Sequence, residues 1–175
     1  MDTLITTLTP VERLQLANQF EILEKLNPEQ AEIYAARRDI VEHGYSIQYD
    51  DVFSDIFDEM PYEECKYVYD VLDMHRVLIN SLNALKDKQG LTLDDVKFEG
   101  FDGNNESKRH AFAKHLKDEG KWTETLVGSL NSHSQSTISR YPKMLKKFDK
   151  IVETLDKTGP GGWDLTAEQI REIIS

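Results

Sequence analysis

Signals that start an α-helix recur along this chain and constrain its fold more than any other feature. In the segment Thr9–Glu12 (TPVE), Thr stands at the N-cap, Pro at the first helical position and Glu at the third, the pattern of a capping box. Asn27–Gln30 (NPEQ) and Thr166–Gln169 (TAEQ) repeat that pattern. We therefore expect helices over about 10–26 and 28–42, joined so closely that they form a hairpin, and a short helix after Thr166.

Apolar residues recur at three- and four-residue spacing in several further segments. The helices expected there are a short one at about 51–58, a long one from Pro61 to about Lys88, one over about 106–119 capped by Asn104 or Asn105, and one over about 142–157. Residues 91–103 break the pattern and are expected to form either a short strand or a loop. The sequence thus predicts an all-α fold, a single multihelical domain over 1–175 with about six or seven helices, an N-terminal helical hairpin, one long central helix and a flexible lead over 1–9.

The first predicted helix is apolar on more than one side. Its apolar residues point in many directions around the axis, and they are Val11, Leu14, Leu16, Ala17, Phe20, Ile22, Leu23 and Leu26. A helix that packs on one core through a single stripe has a narrower apolar face. The pattern predicts that this helix is central in the fold or is covered by a second subunit.

Composition and charge exclude several classes of protein. The chain has 175 residues, of which 39% are hydrophobic, and 32 acidic against 21 basic side chains give a net charge of −11. Such a balance argues against general binding to nucleic acid or to an anionic membrane, since both need a positive footprint. We find no apolar run near the length of a membrane span and no signal-peptide pattern, and the single cysteine, Cys65, fits a reducing compartment. A cytoplasmic location is the resulting expectation.

The charges are unevenly placed. Residues 1–106 carry a net charge of −14 and residues 107–175 a net charge of +3. On the helix expected at 142–157, five lysines fall in one arc of about 100° opposite the apolar side. This lysine stripe consists of Lys143, Lys146, Lys147, Lys150 and Lys157.

An acidic stretch offers the lysine stripe a counterpart within the same protein. Its first part, which we term the acidic face, consists of Asp50, Asp51, Asp55, Asp58 and Glu59. We expect the stripe to bind an anionic partner: the acidic face, within or between subunits, another acidic protein, or RNA. The alternative is the ordinary solvated side of a surface helix, which is the commoner origin of such a stripe.

Arg38 and His43 match a catalytic pattern, and Arg109 and His115 give a second, looser match. Helical ribonucleases of the HEPN type use an Arg and a His separated by four to six residues, and Arg38 and His43 have four residues between them. In that chemistry the His acts as a general acid and base, and the Arg stabilises charge on the phosphate. However, roughly 0.6 such matches arise by chance in a chain of this composition. Five residues also turn a helix by about 140°, and a His near a helix C-terminus is favourable without catalysis.

No other chemistry is indicated by the residues. The five histidines lack the spacing of a metal pair, Cys65 has no second cysteine, and no phosphate-binding or dinucleotide fingerprint is present, so we expect no metal and no cofactor. His75 lies on the apolar line of the long predicted helix. It is expected to be a buried histidine bonded to a Tyr or a carboxylate rather than a catalytic base.

The chain resembles the bacterial YfbU-like family of small, uncharacterised helical proteins. The matching blocks, in the order expected for the family, are Glu12–Phe20, Gly44-Tyr45, Glu63–Cys65, Phe98–Asp102, Glu119–Trp122, and Tyr141 followed by Lys143–Leu145. This resemblance implies a multihelical cytoplasmic protein that self-associates, and it implies no established chemistry. Together with the charge pattern it favours a non-enzymatic, homo-oligomeric interaction protein. The alternative is a HEPN-like ribonuclease or RNA-binding protein that uses Arg38 and His43.

Overall fold

The computed structural model describes residues 7–155 and 162–175, and within them the regular structure is helical. Eight α-helices are formed, and one isolated parallel bridge between Phe101 and Asn131 is the only β-type pairing in these ranges. Their bounds are α1 Pro10–Leu26, α2 Ala31–His43, α3 Tyr49–Val52, α4 Tyr62–Ala84, α5 Leu93–Val96, α6 Ser107–Asp118, α7 Ser136–Val152 and α8 Ala167–Ile174. The all-α prediction is confirmed, with a helix number close to that expected.

The described residues fall into two compact units, one ending at Glu59 and one beginning at Met60. We describe each by itself. That residues 1–175 form a single domain stays a prediction. Residues 1–6 of the expected flexible lead lie outside the described residues, and Thr9 of that lead is the N-cap of α1.

The N-terminal unit is a helical hairpin of α1 and α2, followed by the single turn α3. Thr9 and Glu12 form the predicted capping box, in which the Thr9 N–H donates to the Glu12 carboxylate at 2.8 Å. Gly44 ends α2 with a left-handed φ of 72°. The core of the unit consists of Ala17, Phe20, Ile40, Val41, Tyr49 and Val52. As predicted, α1 and α2 pack on each other.

The prediction of a second capping box at Asn27 is wrong. The Asn27 side chain caps no N–H and instead donates from Nδ2 to the carbonyl of Leu23 at 3.2 Å. Residues Pro28–Gln30 form a 3₁₀ turn, so that α2 begins only at Ala31. The short connection uses Asn27 to satisfy the last turn of α1, and the same side chain is then not available to start α2. The helix expected at 51–58 is replaced by α3.

The C-terminal unit is built around α4, which packs against α5, α6, α7 and α8. Its buried residues recur at three- and four-residue spacing and include Val68, Leu72, His75 and Leu82. Both tryptophans of the chain, Trp122 and Trp163, belong to this unit. Tryptophan fluorescence therefore reports its unfolding alone.

Residues 91–103 form neither of the two expected structures alone. Thr92 and Asp95 form a capping box that starts the single turn α5, and the chain then runs to the bridge at Phe101. Its main-chain N–H donates to the carbonyl of Leu130 at 3.0 Å, and its carbonyl accepts from Ser132 at 3.2 Å. The segment is thus a short helix followed by one rung of parallel pairing.

Several predicted helix ends differ from the structure. The long helix ends at Ala84 rather than near Lys88, and α7 ends at Val152 rather than near 157. Asn104 and Asn105 do not cap α6, whose N-cap is Glu106. The main-chain N–H of Asn104 and the side-chain amide of Asn105 instead donate to the Asp102 carboxylate, at 3.1 and 2.5 Å. These contacts lower the pKa of Asp102. In addition, α7 begins at Ser136, six residues before the expected start, and includes Pro142 in its second turn.

Candidate interaction surfaces

Arg38 and His43 both lie on α2, but the structure gives them separate partners. Arg38 Nη1 is 2.9 Å from a carboxylate oxygen of Glu24 on α1, and Arg38 Nε is 3.8 Å from Glu42. His43 Nδ1 contacts the Asp39 carbonyl at 3.0 Å. Both members of the expected pair are thus held by acidic or main-chain oxygens.

The ring of His43 also stacks on Tyr45, with 5.3 Å between ring centroids. A phosphate-cleaving site needs the arginine turned to an anionic substrate and the histidine within hydrogen-bond reach of the reacting oxygen. Arg38 is instead directed to two carboxylates, which would repel a phosphate. The ribonuclease interpretation receives no support from this geometry.

The lysine stripe lies on the exposed side of α7. Lys143, Lys146 and Lys150 are exposed and form no ion pair with the described residues, while Lys147 Nζ donates to the main-chain oxygen of Ser175 at 3.0 Å. Lys157 lies outside the described residues. The opposite side of the helix is buried through Tyr141, Met144, Phe148 and Ile151. Binding of an anionic partner by the stripe stays a prediction.

The acidic face is exposed at all five of its residues, Asp50, Asp51, Asp55, Asp58 and Glu59. One of them is partly neutralised, because Arg37 Nη2 lies 2.8 Å from a carboxylate oxygen of Asp55. The other four form no ion pair with the described residues. Binding between this face and the lysine stripe likewise stays a prediction.

A third surface is apolar. The side of α1 that points away from Phe20 exposes Val11 at 65%, Leu14 at 63%, Ile22 at 57% and Leu26 at 70%. At 100° per residue, these four side chains fall in an arc of about 120° centred opposite Phe20. We term this set the α1 outer face. The sequence predicts apolar residues on more than one side of this helix, and the structure shows which of them are exposed.

Two fully buried side chains of the C-terminal unit, His75 and Thr125, each have a polar atom without a partner, as has the hydroxyl of the half-buried Tyr67. His75 is 1% exposed, and its Nδ1–H donates to the Val96 carbonyl at 2.8 Å, while Nε2 has no partner. Burial lowers the pKa of His75 to about 4, so the ring is neutral at pH 7. The expected Tyr or carboxylate partner is wrong, because a main-chain carbonyl takes that place and Tyr141 contacts the ring edge to face. The second group, the hydroxyl of Thr125, is 2% exposed at residue level and has no partner.

The substitution Thr125→Val is expected to stabilise the C-terminal unit by about 1 kcal/mol. A buried hydroxyl without a partner costs about 1–3 kcal/mol of desolvation, and a methyl group of similar shape removes that cost. Urea unfolding followed by tryptophan fluorescence measures the change.

Thr137→Val is the matched control for that substitution. Thr137 is equally buried, but its hydroxyl donates to the Ser134 carbonyl at 2.9 Å. Its removal is expected to destabilise the same unit by about 1 kcal/mol. Equal losses in the two variants would contradict the assignment of Thr125 as an unpaired group.

The structure also bears on metals and membranes. Within residues 7–155 and 162–175, no group of three or more His, Cys, Asp or Glu side chains is placed to hold a metal ion. Among the helices of the same ranges, none combines the length and the apolarity that a membrane crossing requires.

Comparison with known proteins places the chain among helical proteins of one family. A family model described as the YfbU domain matches residues 6–175. The UPF0304 protein MJECS11 of Methanocaldococcus jannaschii is 33% identical over 171 residues, which cover 96% of this chain and 99% of that protein. The resemblance seen in the sequence blocks is confirmed, and the chain belongs to the YfbU family.

Proposed function

We propose that this protein is a non-enzymatic, homo-oligomeric interaction protein of the cytoplasm, in which the α1 outer face is the contact between copies. The observation that carries the proposal is the exposure of four large aliphatic side chains, each above half, along one side of a single helix. Large apolar side chains exposed together on one side of a helix, here with Gln15 and Asn18 between them, are a feature of interaction sites. From Val11 to Leu26 the face runs for about 22 Å.

The charge around the α1 outer face does not oppose a second copy as the occupant. The N-terminal unit carries 4 basic and 13 acidic side chains up to Glu59, a net charge of −9. Within the arc of the α1 outer face, Gln15 and Asn18 are uncharged, and the one charge, on Lys25, is paired with Glu21 at 2.5 Å. Two copies that meet through this face do not bring their acidic groups together. A symmetric contact of one α1 with another fits these conditions.

The small core of the N-terminal unit also supports self-association. Six residues make up its buried hydrophobic cluster, and a segment of about 60 residues is marginally stable at best on its own. Burial of apolar surface contributes roughly 25 cal/mol per Å², so cover for the α1 outer face would add directly to the stability of the hairpin.

The lysine stripe is proposed as a secondary contact for an acidic protein surface, with the acidic face of another copy as the first candidate and RNA as the alternative ligand. Lys143, Lys146 and Lys150 support this, because their ammonium groups are exposed and form no ion pair with described residues. Contacts of this kind weaken as salt rises, whereas an apolar contact does not. Mass measured at low and high salt therefore separates the two surfaces.

Ile22→Asp tests the proposal. A carboxylate in the centre of an apolar contact costs about 2 kcal/mol of association, so the dissociation constant is expected to rise about 30-fold. Light scattering coupled to size-exclusion chromatography measures the mass at micromolar concentration. The wild type is expected to show a multiple of the chain mass, and the variant a shift towards one chain.

Val127→Asp is the matched control for the mass measurement. Val127 is 67% exposed but lies in the C-terminal unit, away from α1 in the sequence. The mass of the Val127→Asp variant in solution is expected to equal that of the wild type. A wild type that is monomeric at tens of micromolar, or an Ile22→Asp variant of unchanged mass, would overturn the proposal.

Reversal of Lys143, Lys147 and Lys150 to Glu tests the secondary contact. That contact is wrong if neither this variant nor a change in salt concentration alters the mass.

A further inference from the structure

A cleft of about 410 Å³ opens on the C-terminal unit between α4, the α5 region and the loop of residues 124–127. Sites for small molecules usually have volumes of about 300–1,000 Å³. Ile79 and Phe98 form part of its wall and are buried, whereas Leu93 and Val127 are 53% and 67% exposed. The cleft thus has a buried apolar wall, formed in part by Ile79 and Phe98, and two exposed aliphatic side chains that a bound ligand would cover.

Thr125 gives this apolar cleft a hydrogen-bonding group. It belongs to the lining, is 2% exposed and has a hydroxyl without a partner. A buried hydroxyl that the fold leaves unpaired is uncommon, because the loss of its bond to water is not repaid. The oxygen is itself buried, so a ligand with one donor or acceptor group would repay the loss only when the Thr125 side chain rotates towards the cleft. The amide of Asn83, at the exposed edge of the cleft, is a second polar group of the lining.

Both charged side chains of the lining already have partners. Lys97 Nζ lies 2.7 Å from a carboxylate oxygen of Asp94, and Glu124 is paired with the guanidinium of Arg76. A charged ligand would have to replace one of these pairs and would lose its own hydration. An uncharged ligand avoids both costs.

We propose that this cleft binds a small, uncharged, mostly apolar molecule with one hydroxyl or carbonyl group, which bonds to the hydroxyl of Thr125 when that side chain rotates towards the cleft. The ring or chain of the ligand lies against Ile79 and Phe98, and Leu93 and Val127 close over it. This binding site is separate from the α1 outer face and does not depend on self-association.

The test uses 4-ethylphenol as the probe, with 4-ethylbenzoate and 4-ethylbenzylamine as anionic and cationic molecules of matched shape. Binding to the full chain at pH 7 is followed by the chemical shifts of amide groups. The phenol is expected to saturate with a dissociation constant of about 1 mM, which suits a ligand of this size. The shifts are expected at the lining residues, and the charged molecules are expected to bind at least tenfold more weakly.

Three variants localise the binding. Thr125→Val is expected to weaken it about fivefold, the value of one neutral hydrogen bond. Val127→Asp is expected to weaken it at least tenfold, and Ile22→Asp, in the other unit, to leave it unchanged. Because Val127 is exposed and Thr125→Val removes an unpaired group, both cleft variants are expected to fold.

Four binding results would overturn the inference. They are absence of saturation by the phenol, equal binding of a charged molecule, unchanged binding in Val127→Asp, and unchanged binding in Thr125→Val. Loss of oligomer mass in Val127→Asp would also overturn it, since the cleft would then be a contact between subunits. If the proposed contact through the α1 outer face is wrong, the result is different: the mass of the Ile22→Asp variant is unchanged, and the phenol still binds.

Discussion

Gly100→Ala is expected to destabilise the C-terminal unit by about 4 kcal/mol or more. Gly100 has a left-handed φ of 97°, and a Cβ placed there would overlap the carbonyl group of Leu130 and lie 2.9 Å from the nitrogen of Asn131. The backbone at 100–101 must then move away from Leu130. That movement breaks the two main-chain hydrogen bonds of Phe101, which is fully buried.

The same movement disturbs the aromatic core. The hydroxyl of Tyr141 donates to the Gly100 carbonyl at 3.0 Å and accepts from the Glu99 N–H at 3.2 Å, and its ring packs on those of Phe98 and Phe101. Each buried group left without its partner costs about 1–3 kcal/mol, and the left-handed backbone adds about 1 kcal/mol for alanine. Urea unfolding followed by tryptophan fluorescence measures the sum.

Gly90→Ala is the matched control for the steric part of this loss. Gly90 has a similar φ of 85°, but nothing lies within 4 Å of its ideal Cβ position. An alanine at residue 90 is expected to lower the free energy of unfolding only through its left-handed backbone conformation, by about 1 kcal/mol. Losses in the two variants that agree within about 1 kcal/mol would contradict the close approach of residues 100 and 130.

The parts of the fold that were correctly predicted depend on signals complete within a few residues. The capping boxes at Thr9 and Thr166 each contain both partners, the N-cap Thr and the Glu or Gln at the third helical position. Helices α1 and α8 begin where these boxes predict. The capping box at Thr92 has Asp95 at the third helical position instead of the usual Glu or Gln, and for this reason α5 was not expected. Asn27 has the correct neighbours but a competing acceptor in the preceding turn.

Proline explains the error in α7. Pro142 resembles the first residue of a helix, where its missing N–H costs nothing. In the structure six helical residues precede it, and the fully buried Thr137 and Tyr141 fix that first part of the helix to the core. Their packing is formed by residues far away in the sequence, and a local pattern contains no information about it.

The candidate surfaces divide in the same way. Helical spacing predicts that α1 has apolar residues on more than one side, but it does not show which side the hairpin core buries. Thr125 carries no such signal, since its loop of Ser, Thr and Asn gives no reason to bury one hydroxyl rather than another. The pair Arg38 and His43 fails for the opposite reason. Its spacing is local and easily matched, whereas the direction of each side chain is decided by Glu24 and Asp39.

The free energy of unfolding of the C-terminal unit is expected to decrease as the pH is lowered, because of His75. The folded unit holds this ring neutral down to a pKa of about 4, chiefly because burial opposes its charge, whereas the unfolded chain has the ordinary value near 6.5. Between these two values the unfolded state binds a proton that the folded state does not. The contribution is fully present above pH 6.5 and is lost as the pH falls to about 4. The total loss is about 3 kcal/mol, of which about 2 kcal/mol falls between pH 7 and pH 5.

The prediction is tested with the variant His75→Gln, whose amide can still donate to the Val96 carbonyl but does not titrate. Urea unfolding by tryptophan fluorescence at pH 7, 6 and 5 is expected to show a fall in the wild type that is about 2 kcal/mol steeper than in the variant. Should the His75 variant fail to fold, imidazole NMR signals of the wild type give the same answer. A His75 ring that protonates near pH 6.5 in the folded protein would mean that the interior around Phe98 and Tyr141 admits water, and the neutral, closed core described above would be wrong.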